Sequence, residues 1–247
     1  MASPRPVWHS LHHGRRRLLA QTAPRAPAAR RLLSSSSASP EATAPAPPPP
    51  PKPTGKLPLT PEQQALLSAA LRVNQAGELA ATLIYTAQTP AVVAREPHLR
   101  PLMRHMHDQE AAHLQTFNAL LARHRVRPTA LYPVWSALAT GLGWTTGVLG
   151  REAAMACTEA VETEIGGHYN GQIRQLLAMV GEWEAGGHEV GGEFRALIGT
   201  LRRIRDEELE HLDHAVQHDA HKAQPHWLLT GVIRAGCRGA IWVSERV

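Results

Sequence analysis

The chain has 247 residues, 26 Lys and Arg against 21 Asp and Glu, a formal net charge of +5 at neutral pH and two cysteines. Seven arginines (Arg5, Arg15, Arg16, Arg17, Arg25, Arg30 and Arg31) fall in the first 40 residues, so the remainder carries 19 basic against 21 acidic groups, a formal charge of about −2. That balance leaves no basic stripe with interleaved aromatics and excludes a nucleic-acid partner, while Cys157 and Cys237, far apart and outside any Cys-x-x-Cys pair, exclude a disulfide framework or a thiolate zinc site.

Residues 1–40 have no acid, many arginines and a serine run at 34–37, the composition of a mitochondrial transit peptide. Residues 41–58 run through Pro and Ala, with prolines at 47–51, and read as a disordered or polyproline II linker. The folded domain is therefore expected over 59–247. Thr60-Pro-Glu-Gln63 has the shape of a capping box with Pro at the first helical position, and it predicts a helix over 61–88 that stops before Pro90. A second helix is expected over 98–125, with Pro101 in its first turn and Pro128 beyond its end.

Residues 128–150 contain no Asp, Glu, Lys, Arg or His. Pro133 and the glycines at 141, 143, 147 and 150 leave no more than about 17 residues for a clean helix, marginal for a membrane span. The segment reads as a short apolar connector or interfacial helix touching the bilayer, with a buried core connection as the alternative. Its run from Gly141 to Gly147 is one residue too long for a dinucleotide loop and follows no strand, so a Rossmann site is rejected. A third helix over 151–179, a glycine- and acid-rich flexible loop over 181–192 and a fourth helix over 193–223 come next. The closing stretch, 225–247, has one basic and one apolar edge and suits a helix that lies on an anionic membrane or packs on the bundle.

The chemistry sits in two Glu-x-x-His motifs, Glu110 with His113 and Glu208 with His211, each preceded at a distance by a lone glutamate, Glu78 and Glu162. With 17 Glu and 15 His in the chain, about one such motif arises by chance. The order carries more weight than the count: Glu then Glu-x-x-His, twice, reads as a duplicated helical hairpin. A three-residue step turns a helix by about 300° and climbs about 4.5 Å, so each Glu and its His share a face. Four helices pointing these six side chains inward make an all-α, ferritin-like four-helix bundle with additional membrane-interfacial helices. The bland alternative is that the six are polar residues on solvated faces. Buried carboxylates need protons, partners or metal, and two ferrous ions would neutralise four of them. Oxygen donors with one imidazole per metal suit iron that reacts with O2.

Several separated blocks carry a further likeness: Leu71-Arg-Val-Asn-Gln-Ala-Gly-Glu78, Ala153-Met-Ala-Cys-Thr158, His168-Tyr-Asn-Gly-Gln-Ile173, Arg205-Asp-Glu-Glu-Leu-Glu-His211, Ala235-Gly-Cys-Arg238 and Ser244-Glu-Arg246. From about residue 60 to the C-terminus the chain resembles the mitochondrial demethoxyubiquinone hydroxylase family of ubiquinone biosynthesis. The resemblance implies O2-dependent hydroxylation of the ring of a polyprenyl demethoxyubiquinol by two Fe ions. It puts Glu78 and His113 on one iron and Glu162 and His211 on the other, with Glu110 and Glu208 bridging, an assignment that spacing alone leaves open. It implies peripheral association with inner-membrane lipids on the matrix side of the mitochondrion, and a ubiquinone-biosynthesis complex that includes a lipid-binding partner. An external reductant is required, either NAD(P)H bound at the bundle surface or the quinol itself. Tyr169, two turns after Glu162, is a candidate redox or hydrogen-bonding residue beside the irons, or else a core tyrosine. The loop at 181–192 is longer than is usual for the family. A ferritin-like ferroxidase, a non-enzymatic lipid-binding scaffold and a membrane-bound quinol oxidase are the competing readings.

Overall fold

The structure, a computed structural model, describes residues 59–247; the expected transit peptide and linker lie outside the described residues. Six helices account for the fold: α1 Pro61–Arg95, α2 Arg100–His124, α3 Tyr132–Leu149, α4 Arg151–Ala185, α5 Gly192–Gln217 and α6 His226–Ser244. No strand occurs among the described residues. The pairs α1/α2 and α4/α5 are antiparallel hairpins that also meet across the bundle, α1 on α4 and α2 on α5. Helix α3 makes the crossover between hairpins and lies along α1 and α4, while α6 folds back along α4 and touches α1. This is the four-helix bundle expected, with two helices applied to its α1/α4 side.

Both halves of the expected capping box form at the start of α1. Gln63 N–H donates to Thr60 Oγ1 at 3.2 Å, and Thr60 N–H donates to Gln63 Oε1 at 3.1 Å. The predicted stop at Gln88 is wrong: α1 continues through Pro90 to Arg95. An interior proline costs about 3 kcal/mol, but the extra turns bury Val92 and Val93, and each fully buried valine returns about 1.5–3 kcal/mol. Helix α2 starts two residues later than expected, after a single 3-10 turn at Pro97–Leu99. It ends in a Schellman motif with Arg125 in the left-handed region (φ 54), Val126 N–H donating to Leu121 O at 2.9 Å.

The other half departs from expectation at the C-terminal ends of both its helices. Helix α4 runs to Ala185 rather than Met179, so part of the expected flexible loop is helical. The added turn brings Trp183 onto Phe194 of α5, edge-on with ring centroids 4.9 Å apart, and this aromatic contact outweighs the helix cost of Gly181. Helix α5 stops at Gln217 instead of Ala223, because Asp219 turns left-handed (φ 73). That turn is tied by Lys222 at 2.9 Å and by Arg151 at 2.9 Å, and Arg151 also reaches Glu96 at the end of α1.

Helix α3 is the segment the sequence left open between connector, interfacial helix and core element. It packs tightly on α1: a Cβ on Gly143 would sit 2.5 Å from Ile84 O, and one on Gly147 2.9 Å from Gln88 Cα. The two glycines are one turn apart and let the backbones touch, and Gln88 Nε2 donates to Thr146 Oγ1 at 2.8 Å across the same seam. Its outer side carries exposed apolar residues, Trp144 among them at 61 %. No helix among the described residues is long and apolar enough to cross a membrane. Helix α6 is pinned to α4 by His226 on Glu159 at 2.8 Å and by Arg234 and Arg238, both on Glu164 Oε1, at 2.6 and 2.8 Å. It too keeps an exposed apolar side, with Trp227 at 75 % and Trp242 at 58 %.

Candidate metal centre

The six sequence-selected residues come together in the middle of the bundle. Glu78 projects from α1, Glu110 and His113 from α2, Glu162 from α4, and Glu208 and His211 from α5, and none is more than 2 % exposed. They form two quartets, each with its ligand atoms within 4.8 Å of one another: Glu78, Glu110, His113 and Glu208, and Glu110, Glu162, Glu208 and His211. Glu110 and Glu208 belong to both. His113 Nδ1 lies 3.4 Å from Glu78, 3.7 Å from Glu110 and 3.1 Å from Glu208. His211 Nδ1 lies 2.9 Å from Glu110 and 3.3 Å from Glu208.

These contacts are close but not aligned as hydrogen bonds. Both carboxylate oxygens of Glu110 and of Glu208, and Nδ1 of each histidine, are buried without a hydrogen-bond partner. Unpartnered buried donors and acceptors are rare and costly. Here six of them converge on two points between the side chains, the arrangement a pair of divalent first-row cations satisfies.

Without cations, protons fill the same role. Burial, with Glu208 beside it, pushes the Glu78 carboxyl well above the usual range, and burial with Glu208 and Glu110 does the same to Glu162. Burial opposes the charge on Glu110, but the flanking imidazoles outweigh it and hold its pKa down at about 2. Burial likewise opposes the His211 cation, yet Glu110 and Glu208 raise its pKa to about 11, and His113 is raised by Glu110, Glu208 and Glu78. Loading cations therefore means displacing protons from imidazoles and carboxyls.

Tyr169 stands where it was expected, on the bundle interior. Its hydroxyl donates to Glu78 Oε1 and its ring stacks on Phe117, centroids 6.2 Å apart. Burial and the Glu78 carboxylate push its pKa up, which keeps the phenol protonated and donating. His168 points away from the cluster, onto Gln172 at 2.7 Å.

Three residues of the site escaped the sequence reading. His113 Nε2–H donates to Glu207 Oε2 at 2.6 Å, and His211 Nε2–H donates to Gln109 Oε1 at 2.9 Å, which fixes both rings with Nδ1 facing the cluster. Each acceptor immediately precedes the glutamate of a Glu-x-x-His motif and serves the histidine of the other half. The third is Tyr85, buried with its ring edge-on to His211 at 6.1 Å. It follows Glu78 by seven residues, as Tyr169 follows Glu162. Applying the duplication to neighbours of the ligands would have found all three.

An apolar groove of about 330 Å³ opens between α3 and α6. Its floor is made by α1 and α4, including Ala76, Gly77, Val161 and Ile165, and its sides by Leu138 and Leu142 on α3 and Val232 and Ile233 on α6. Gly77 and Val161 are the chain neighbours of Glu78 and Glu162, so the groove floor lies one residue from the carboxylate cluster on both helices.

Comparison with known proteins identifies the family. The yeast Saccharomyces cerevisiae protein "5-demethoxyubiquinone hydroxylase, mitochondrial" is 47% identical over 190 residues, 76% of this chain and 82% of that protein. The human "NADPH-dependent 3-demethoxyubiquinone 3-hydroxylase, mitochondrial" is 43% identical over 184 residues, 74% of this chain and 79% of the relative. A bacterial relative, "3-demethoxyubiquinol 3-hydroxylase" of Rhodospirillum rubrum, is 42% identical over 192 residues, 78% and 84% of the two chains. Residues 65–244, which run from the second turn of α1 to the end of α6, match the family described as ubiquinone biosynthesis protein COQ7, and the chain belongs to that family.

Proposed function

We propose that this chain is a di-iron monooxygenase that hydroxylates the ring of a polyprenyl demethoxyubiquinol. The observation that carries the reading is the pair of buried quartets sharing Glu110 and Glu208, one residue from the floor of an apolar groove. Glu78 and His113 would hold one iron, Glu162 and His211 the other, and Glu110 and Glu208 would bridge. When bound, the iron pair supplies O2 activation. One oxygen atom enters a ring C–H bond to give the hydroxyl and the other leaves as water, with two electrons drawn from an external reductant and two protons from solvent. The human relative's name states NADPH dependence, which supports a nicotinamide nucleotide as the donor here.

The chain's own residues do the rest. Bundle helices keep water from the centre, since the ligands are at most 2 % exposed. Glu207 and Gln109 orient the two imidazoles, and Tyr169 holds Glu78 in place through its hydroxyl. The groove between α3 and α6 offers an apolar slot for a prenyl chain, its head directed toward Gly77 and Val161. Exposed Leu138, Trp144, Val232 and Trp242 on the same two helices suit peripheral seating on a bilayer. The relatives' mitochondrial names and the arginine-rich N-terminus support a mitochondrial location, and the working domain, residues 59–247, would sit on the inner membrane from the matrix side. The same apolar face would receive a lipid-binding partner.

Turnover of a short-chain demethoxyubiquinol in heavy-isotope oxygen tests the reading. One labelled atom in the product ring is expected from the iron-loaded protein and none from Glu110→Ala. Label appearing only in water would instead favour the quinol oxidase.

A further inference from the structure

We propose that His105, Glu210 and His214 form an outer site for a divalent first-row metal ion, the intake point from which ferrous ion passes to the buried centre. Helices α2 and α5 meet along an antiparallel seam built of polar rungs. His113 faces Glu207 at 2.6 Å, Gln109 faces His211 at 2.9 Å, and His105 faces His214 with ring centroids 6.2 Å apart and planes at 81°. Residues 105, 109 and 113 are successive four-residue steps of α2, each about 6 Å. The seam thus carries the histidine chemistry of the centre outward to solvent.

At the outer rung the donors assemble from both helices. Glu210 and His214 are four apart on α5, with His214 Nε2 3.6 Å from Glu210 Oε1. Their ligand atoms and that of His105 all lie within 4.8 Å of one another. His105 and Glu210 are exposed and the His214 side chain is about a quarter exposed, so an ion reaches them directly from water. Two imidazoles and one carboxylate on one side of a metal are a donor set that takes ferrous ion or zinc and leaves positions to water. Such a site exchanges its ion readily. The buried quartets, closed to solvent, need a point of uptake of this kind, and the Gln109–His211 rung is the next step inward.

The outer site stands on its own donors; the intake role rests on reading the buried quartets as an iron pair. Calorimetric titration of the metal-free protein with zinc tests the first. Wild type should bind one more equivalent than His105→Ala or His214→Ala, and equal stoichiometry and affinity in all three would overturn the site. Glu210→Gln, which changes one surface charge group, should weaken that equivalent several-fold. Anaerobic mixing of metal-free protein with limiting ferrous ion tests the second. Both histidine variants should fill the buried centre several-fold more slowly yet reach the same final iron content, and wild-type rates in the variants would overturn the intake role. If wild type holds one ion and His214→Ala none, the outer site is upheld and the buried pair is the reading that fails.

Discussion

Glu207→Gln changes one atom type at the cluster's edge and has a calculable consequence. The Glu207 carboxylate accepts from the His113 ring at 2.6 Å, whereas the matching acceptor in the other half, Gln109, is a neutral amide. A carboxylate makes the imidazole a stronger donor to metal, and loss of such a partner costs about 10- to 100-fold in metal affinity, or about 1.4–2.7 kcal/mol. Glu207 is about a quarter exposed and shares its charge with Arg203 at 2.8 and 2.9 Å. Solvent and that guanidinium both screen it, which places the expected loss at the low end, about tenfold. Anaerobic titration of ferrous ion should show the His113 side filling first in wild type, and Glu207→Gln should bring the two buried affinities together. The converse change, Gln109→Glu, should tighten the His211 side. A tighter step that is untouched by Glu207→Gln, or an equal weakening of both steps, would refute the reasoning.

Other outcomes follow from the same geometry. Gly143→Ala places a Cβ against Ile84 O at 2.5 Å; overpacking of about 1–3 kcal/mol against a helix gain of about 1 should lower the thermal midpoint by a few degrees, and an unchanged midpoint by circular dichroism would show that α3 rides more loosely on α1. The metal-free protein should lose stability as pH rises. His211 has a folded pKa of about 11 against 6.5 unfolded, so its contribution is complete below about pH 6.5 and fades as pH climbs toward 11. Bound metal displaces those protons, so the metal-induced rise in midpoint should grow over the same window, and a flat difference would count against proton displacement. Tyr169→Phe removes the hydroxyl from Glu78 and should leave iron stoichiometry intact while lowering kcat; an unchanged kcat per iron would show that Glu78 keeps its place without the tyrosine. Trp227→Ser with Trp242→Ser removes two exposed indoles from α6 and should weaken vesicle binding with no change in midpoint, a result checked by flotation.

What the sequence made legible was local. The Thr60 box, the ligand spacing and the duplicated order follow from helix geometry, and the six side chains do meet. Helix ends decided by distant packing were not legible: Pro90 and Gly181 are breakers in isolation, yet α1 and α4 run through them because Val92, Val93 and Trp183 find cover on other helices. Asp219 ends α5 through Arg151, 68 residues away in the chain. Gly143 and Gly147 read as helix weaknesses in an apolar stretch, whereas on α1 they are the surface that lets two backbones touch. Gln109, Glu207 and Tyr85 carry no motif of their own and become visible only when one half of the duplication is laid on the other.

Iron analysis joined to Mössbauer spectroscopy of protein loaded with isotopically enriched iron addresses the central claim directly. Two coupled irons per chain are expected in wild type, with the pair abolished in both Glu110→Ala and Glu208→Ala, the two residues common to both quartets. Full hydroxylase turnover by protein that holds no iron pair would contradict the account.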